Sequence, residues 1–480
     1  MATHDFSDFE PEKIQQAHPK INLFTMFRLG LFQMGLGIMS ILTLGILNRV
    51  MINELAIPAL VVATTLAMHQ LVAPVRIWFG QLSDTKPLLG YHRTGYVWIG
   101  TALFAIASFL AVQIMWQLGN TVQAAGGWVW TTQTFGWTAL LALVFTLYGL
   151  APSASSTPFA ALLVDVSEED NRSKVVGIVW SMLMVGIIVG AIVGGSLLKQ
   201  IGADTPLEVL QTSINRLFLI VPAVVFGLSL LATVGVEKKY SYYKSRSTIV
   251  DREDSISLGK ALRVLTASRQ TGLFFSFLLV LTISLFMQEP VLEPYGGQVF
   301  GMTISETTRL NAFWGLGTLI GLSFTGFLVV PRLGKQKTTK LGCLCVAFCF
   351  VLIIISGFTQ NQKLLQSALL LFGLASGVTT TGAISLMLDL TAAETAGTFI
   401  GAWGLSQAIA RGLATITGGA VLDVGKRIFS TNLVLAYGLV FALQAVGMIA
   451  AVWFLSRVNV KEFRSNARAA IASILEGELD

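Results

Sequence analysis

Apolar residues in this chain come in long blocks separated by short polar breaks. Twelve such blocks fall at about 27–47, 56–79, 95–116, 137–163, 175–198, 217–236, 272–289, 309–330, 341–358, 364–388, 398–420 and 432–456. A helix needs ~20 mainly apolar residues to cross a bilayer, so the pattern predicts an all-α membrane protein with twelve transmembrane helices. Composition agrees. Of 480 residues, 54% are hydrophobic and 12% charged, against ~25% charged in a soluble domain, and the mean hydropathy is +0.71. A soluble enzyme, a secreted disulfide scaffold and a disordered chain are all excluded.

An even number of spans places both termini on one side. Under that layout the tails and the loops at 80–94, 165–174, 237–270 and 331–340, with Arg28 and Arg76 at adjoining span ends, hold about 24 Lys and Arg, against about 7 opposite. The positive-inside rule then predicts cytoplasmic termini. It also accounts for the net charge of +6 through topology and membrane lipid, with no nucleic-acid partner. The expected organisation is a cytoplasmic tail at 1–26, a six-helix bundle at 27–236, a cytoplasmic central loop at 237–270, a second six-helix bundle at 271–456 and a cytoplasmic tail at 457–480. A surface helix near Leu258–Leu265 suits the loop. Val460, Phe463, Ala467, Ile471 and Ile474 suit a helix lying on the membrane, or an ordinary solvated one. The first 20 residues hold no apolar h-region, so no cleavable signal peptide is expected. Cys343, Cys345 and Cys349 share an apolar run with no His nearby and read as small core hydrophobes.

The two halves resemble each other. LLVDVSEEDNRSKVVG and LMLDLTAAETAGTFIG align without gaps, so that Asp165 matches Asp389, Gly177 matches Gly401 and Gly194-Gly195 match Gly418-Gly419. Paired six-helix halves joined by a cytoplasmic loop resemble the major facilitator superfamily, whose halves rock about a midplane site. Gly80 to Asp84, with Gly90 and Arg93, resembles that superfamily's G-x-L-x-D-R-x-G-R-R loop, stretched and short of arginines. Asp84, Arg93, Asp165, Arg172 and Asp389 therefore read as gating or structural charges, or as plain solvated loop charges. Gly186, Gly190 and Gly194 repeat at four-residue steps, as do Ala410, Ala414 and Gly418, which predicts close helix packing. Ala191 stands where an antiporter motif would carry proline.

Titratable groups are scarce inside the spans, and a proton relay needs them there. Arg28, Arg49 and Arg76 lie near span ends, where they can snorkel. His69 sits near the middle of the second block. It could hydrogen-bond a neighbouring helix, or offer an axial nitrogen to the Mg of a chlorophyll. Gln33, Gln70 and Gln407 are weaker donors of that kind. Arg411, mid-span, must meet a carbonyl, a carboxylate or a cavity; a ligand carboxylate is one candidate, structural pairing another. Beyond the seventh block, Gln288 to Met302 reads QEPVLEPYGGQVFGM. Two prolines bracket Glu293, and Gly296-Gly297 predicts a turn. A broken helix of this kind lines a cavity mouth, which places Glu289, Glu293 and Tyr295 there.

That LEPYGG-x-x-FGM segment resembles the PucC/LhaA family, the bacteriochlorophyll-delivery branch of the superfamily. FRLGLFQMGLGI, LNRVMINEL, RIWFGQLSDTKPLLGYHRTGYVWIG and TPFAALLVDVSEEDNR extend the resemblance over nearly the whole chain, and the first-loop wording is most similar to cyanobacterial members. The resemblance implies a non-enzymatic assembly factor in a thylakoid or other photosynthetic inner membrane. It would bind or deliver chlorophyll or bacteriochlorophyll to nascent complexes, with light-harvesting or photosystem subunits, and possible chlorophyll-biosynthesis enzymes, as partners. The alternative is a secondary transporter of a small amphiphile such as a tetrapyrrole precursor. No metal-ligand cluster, Ser/His/Asp set or phosphate-binding Gly loop supports an intramembrane enzyme.

Overall fold

The computed structural model describes residues 21–167, 169–199, 201, 205–241, 269–390 and 396–459. Among them the regular elements are helices, and a lone antiparallel bridge joins Leu88 to Tyr91. Helix α1 (Leu23–Ser40) continues through π-helical turns at Ile41–Leu47 and Val50–Glu54. After it come α2 (Ala59–Leu71), a 3-10 turn (Ala73–Val75), α3 (Arg76–Thr85), α4 (Thr94–Ala124), α5 (Thr132–Val166), α6 (Glu169–Leu197), α7 (Leu207–Thr233) and a short α8 (Val236–Tyr240). The second half comprises α9 (Arg269–Phe286), α10 (Leu292–Phe300), α11 (Ile304–Phe324) and α12 (Val330–Leu333). It ends with α13 (Lys335–Thr359), α14 (Gln362–Leu390), α15 (Ala396–Ile428) and α16 (Leu433–Arg457).

Every predicted apolar block falls mainly on helix. Among the described residues, eight helical segments are long and apolar enough to cross a membrane, and the bent α2–α3 pair makes a ninth. The apolar part of α9 is shorter. Charges interrupt α11 at Glu306 and Arg309, and α15 at Arg411, Asp423, Lys426 and Arg427.

Two local expectations change. The block at 56–79 is not one rod but two helices bent by 52°, because Pro74 in the intervening turn has no N–H to continue the ladder. The turn expected at Gly296-Gly297 is absent: both glycines lie inside α10, which ends at Gly301 in the left-handed region (φ +65°). Pro294 is tolerated in the first turn, where its missing N–H would have had no helical partner. The predicted surface helices near 258–265 and 460–475 lie outside the described residues.

Each half packs internally, α1 on α6 and α7 and α4 on α5 in the first, α13 on α14 and α9 on α16 in the second. Two seams join the halves, α2 against α15 and α6 against α11. The glycine stripe of α6 is a packing face. A side chain at Gly186 would run into the Met34 backbone, and one at Gly190 would lie 2.9 Å from the Ile38 Cα. The second half centres on Tyr295, whose ring is 5.1–5.3 Å from those of Phe300, Tyr437 and Phe441. Its hydroxyl donates to the Ile353 carbonyl at 2.9 Å.

Candidate functional site

Polar groups gather at three levels of this otherwise apolar bundle. The first lies where α1 meets α10 and α11. The π-helical turns that end α1 carry Asn48, Arg49 and Asn53 toward the second half. Asn48 donates to the Pro290 carbonyl at 2.8 Å. Arg49 donates to the Met302 carbonyl at 2.7 Å and to the Thr307 hydroxyl, and its Nε lies 3.5 Å from Glu54. Arg49 is only 5% exposed, so it does not snorkel as its place near a span end predicts. The guanidinium finds its partners across the seam, and Gly297 leaves room for its approach. Glu293, 2% exposed, accepts from the Asn311 amide at 2.6 Å through Oε1. Its Oε2 has no hydrogen-bond partner among the described residues. The carboxylate sits directly against Gly45, so a side chain there would have to push Glu293 aside.

The second level is the α2–α15 seam around His69. Its imidazole meets the edge of Tyr148 from α5, ring centroids 6.1 Å apart. Nδ1 donates to the Leu66 carbonyl, and Nε2 accepts from the Gln70 side-chain amide at 2.8 Å. That pattern fixes the neutral tautomer with its proton on Nδ1. Across the seam, Arg411 stacks on Phe286, its guanidinium carbon 3.9 Å from the ring centroid. One guanidinium nitrogen lies 3.7 Å from Glu289. Arg411 and Arg76 are both within Coulombic range of His69 and of each other. Gln407 lies one turn before Arg411 and is half-buried. Gln33 is buried in α1, and among the described residues no hydrogen bond ties it to this cluster.

The third level joins helix ends of the first half. Arg93 lies 2.6 Å from Asp84 and 2.9 Å from Asp165, and donates to the Ser83 hydroxyl at 2.6 Å. Burial alone would weaken its charge; Asp165 and Asp84 more than offset that, and its pKa is raised. Glu237 of α8 accepts the backbone N–H groups of His92, Arg93 and Thr94 at 2.7–3.3 Å, capping the start of α4. The side chains of Arg172 and Asp389 lie outside the described residues.

Comparison with known proteins places these features. The model of the PUCC protein family matches residues 46–463. The chain belongs to the PucC family. It is 31% identical over 448 residues to Protein PucC of Rhodobacter capsulatus, covering 91% of this chain and 93% of that one. It is 30% identical over 466 residues to a protein of the same organism named bacteriochlorophyll synthase 44.5 kDa chain, covering 94% and 98%. Among solved structures, the nucleoside transporter NupG superposes with a TM-score of 0.64 at 14% identity, over 91% of this chain and 98% of that one. A bacterial homologue of the iron transporter ferroportin gives 0.63 at 14%, over 91% and 100%. This PucC-family chain therefore has the transporter fold that its internal repeat suggests.

Within that frame the three levels divide the sequence-derived candidates. His69, Gln70, Glu289 and Arg411 come together, with Gln407 beside them. Glu293 and Tyr295 share α10 but face different neighbours, the seam and the aromatic core. Asp84, Arg93 and Asp165 form one ion-paired cluster. Arg49, Arg76, Asn311 and Glu237 were absent from the sequence-derived site; Arg49 and Arg76, as cations near apolar blocks, carried a usable signal. The three cysteines are free, and no group of His, Cys, Asp or Glu suited to a metal ion forms among the described residues.

Proposed function

We propose that this chain is a photosynthetic assembly factor that holds a chlorophyll-type pigment at the α2–α15 seam and delivers it to nascent light-harvesting or photosystem subunits. The observation that carries the reading is His69. A chlorophyll brings one open axial position on its Mg, which takes a neutral nitrogen lone pair. Leu66 holds the His69 proton on Nδ1, so the lone pair is on Nε2, and its present partner is a movable side-chain amide, Gln70. The donor set fits such a group. Phe286 and Tyr148 supply the apolar, aromatic surroundings a macrocycle needs. The relative named bacteriochlorophyll synthase 44.5 kDa chain supports a pigment-related reading. Thylakoid or photosynthetic inner-membrane residence and cytoplasmic termini belong to this proposal.

The test is purification in mild detergent from a pigmented membrane, with absorbance recorded for the native chain and His69→Ala. Stoichiometric pigment lost in the variant supports the reading. Pigment retained in both removes His69 as ligand. A colourless native chain that still brings down antenna or photosystem subunits replaces the carrier by a docking chaperone.

A further inference from the structure

The proposed reading explains His69 and leaves two cations beside it. Arg76 opens α3 immediately after the 3-10 turn, and that turn packs on α15, the helix that carries Arg411. The residue after Arg411, Gly412, presses on Leu71 and Gln70: a Cβ there would lie 2.7 Å from a Leu71 methyl carbon. This packing brings two guanidiniums from opposite halves within Coulombic range of each other at the seam. Arg76 has no hydrogen-bond or ion-pair partner among the described residues. Arg411 has one ion-pair partner, Glu289, at 3.7 Å, and its side chain stays 38% exposed. His69 is neutral. Arg76, Arg411 and Glu289 therefore sum to one uncompensated positive charge.

Both guanidiniums are exposed at the seam, so both can reach a ligand there, and two like charges within Coulombic range repel each other. A bound monoanion relieves that repulsion. Guanidinium matches a carboxylate in a planar, two-point contact, and the surrounding surface, from Phe286 to Leu71, is apolar. We infer that the seam recognises a flat apolar ligand by a single free carboxylate, held between Arg76 and Arg411, and discriminates against the corresponding ester. This inference rests on the pigment reading of the same site and adds a second handle: His69 for the metal, the arginine pair for an acidic side arm. The preferred cargo is then a chlorin acid and not its esterified form.

The experiment uses a metal-free chlorin, which takes the His69–Mg contact out of the comparison. Pyropheophorbide a and its methyl ester are titrated into the full-length chain in detergent, and binding is read from the chlorin absorbance and fluorescence. A charge-assisted carboxylate contact predicts about 10- to 100-fold tighter binding of the acid. Arg411→Gln and Arg76→Gln should each shrink the acid-to-ester ratio, and the double variant should bring it to about one. Monodisperse elution shows that each variant is folded, and Arg411→Lys, which keeps the charge, should retain part of the preference. Equal binding of acid and ester by the native chain overturns the inference while leaving a pigment site in place. Binding of neither also overturns it, and the His69→Ala pigment measurement then decides the wider reading separately. An acid preference that survives the double variant moves the carboxylate site elsewhere and overturns it as well.

Discussion

The carboxylate of Asp423, in the second half of the chain, accepts the backbone N–H of Leu60, in the first half, at 2.9 Å. Its other oxygen accepts the N–H of Ala59 at 3.1 Å. The first N–H groups of a helix have no partner inside it, and the residue before α2 is Pro58, which offers no side-chain cap. α15 supplies one from across the seam, with a charge that also suits the positive end of the α2 dipole. The α2–α15 seam is thus anchored at one end by a helix cap and bears the His69–Arg411 cluster further along.

Removing that cap should loosen the seam. Asp423→Ala is expected to cost about 1 kcal/mol, and Asp423→Asn less, because the amide oxygen still accepts. Thermal unfolding in detergent measures the loss. A disulfide between cysteines placed in contact across α2 and α15 should form more slowly in Asp423→Ala, because its geometry needs the two helices close together. Unchanged stability and unchanged trapping would mean that the two halves are held elsewhere.

A second contact tests the seating of Glu293. Because its carboxylate lies where a Gly45 side chain would begin, Gly45→Ala overpacks the seam and should destabilise by about 1–3 kcal/mol. Shortening the acid in Glu293→Ala removes the obstruction but strands Asn311, its hydrogen-bond donor. The double variant should therefore be more stable than the sum of the two single losses implies. A non-additivity of about 1 kcal/mol or more in unfolding free energy is the expected result for residues in contact. Strict additivity would place Glu293 away from Gly45.

The apolar blocks and the paired halves were legible in the sequence, for a common reason. Each depends on composition or local spacing, which a linear reading can see. Arg49 shows where such reading stops. A cation near a span end can reach water or fold back onto carbonyls, and Met302 and Thr307, far along the chain, decide the matter. Gly296-Gly297 poses the same ambiguity, since paired glycines serve a turn or a close approach. Here Thr307 and Leu310 crowd one and Asn53 and Arg49 the other. Asp423 and Glu237 carry no role in the sequence analysis, and both are caps for helices distant in sequence. His69 and Arg411 were visible as lone polar residues, but that they share one seam is a property of the fold.

The Arg93 cluster predicts a sharp difference between substitutions. Arg93 is almost fully buried and touches two acids and a hydroxyl at once. Arg93→Ala takes from Asp165, itself buried, the guanidinium it pairs with and should destabilise by several kcal/mol, toward about 3–5 kcal/mol. Arg93→Lys keeps the charge but cannot present three donors in a plane, so it should recover only part of the loss. Glu237→Ala removes the cap of α4 and should cost about 1 kcal/mol. Unfolding midpoints of the three variants check the order, and an Arg93→Ala variant as stable as the native chain would show that the cluster is solvated.

Gln70 offers the most direct test of the pigment reading, because it opposes His69→Ala in sign. The Gln70 amide occupies the Nε2 lone pair of His69 at 2.8 Å, and any ligand at that nitrogen has to displace it. Replacing a donor that competes for the site lowers the cost of binding by about the worth of one hydrogen bond, roughly 0.5–1.5 kcal/mol. Gln70→Leu keeps much of the bulk of the side chain while removing the amide. It should therefore retain more Mg-bearing pigment per chain than the native protein, by roughly 2- to 10-fold in affinity, and lose that gain when combined with His69→Ala. The metal-free chlorin acid does not use the nitrogen, so its affinity should change far less in Gln70→Leu. Pigment retention that falls in Gln70→Leu would make the glutamine itself part of the binding surface and reverse its assignment as the displaceable cover.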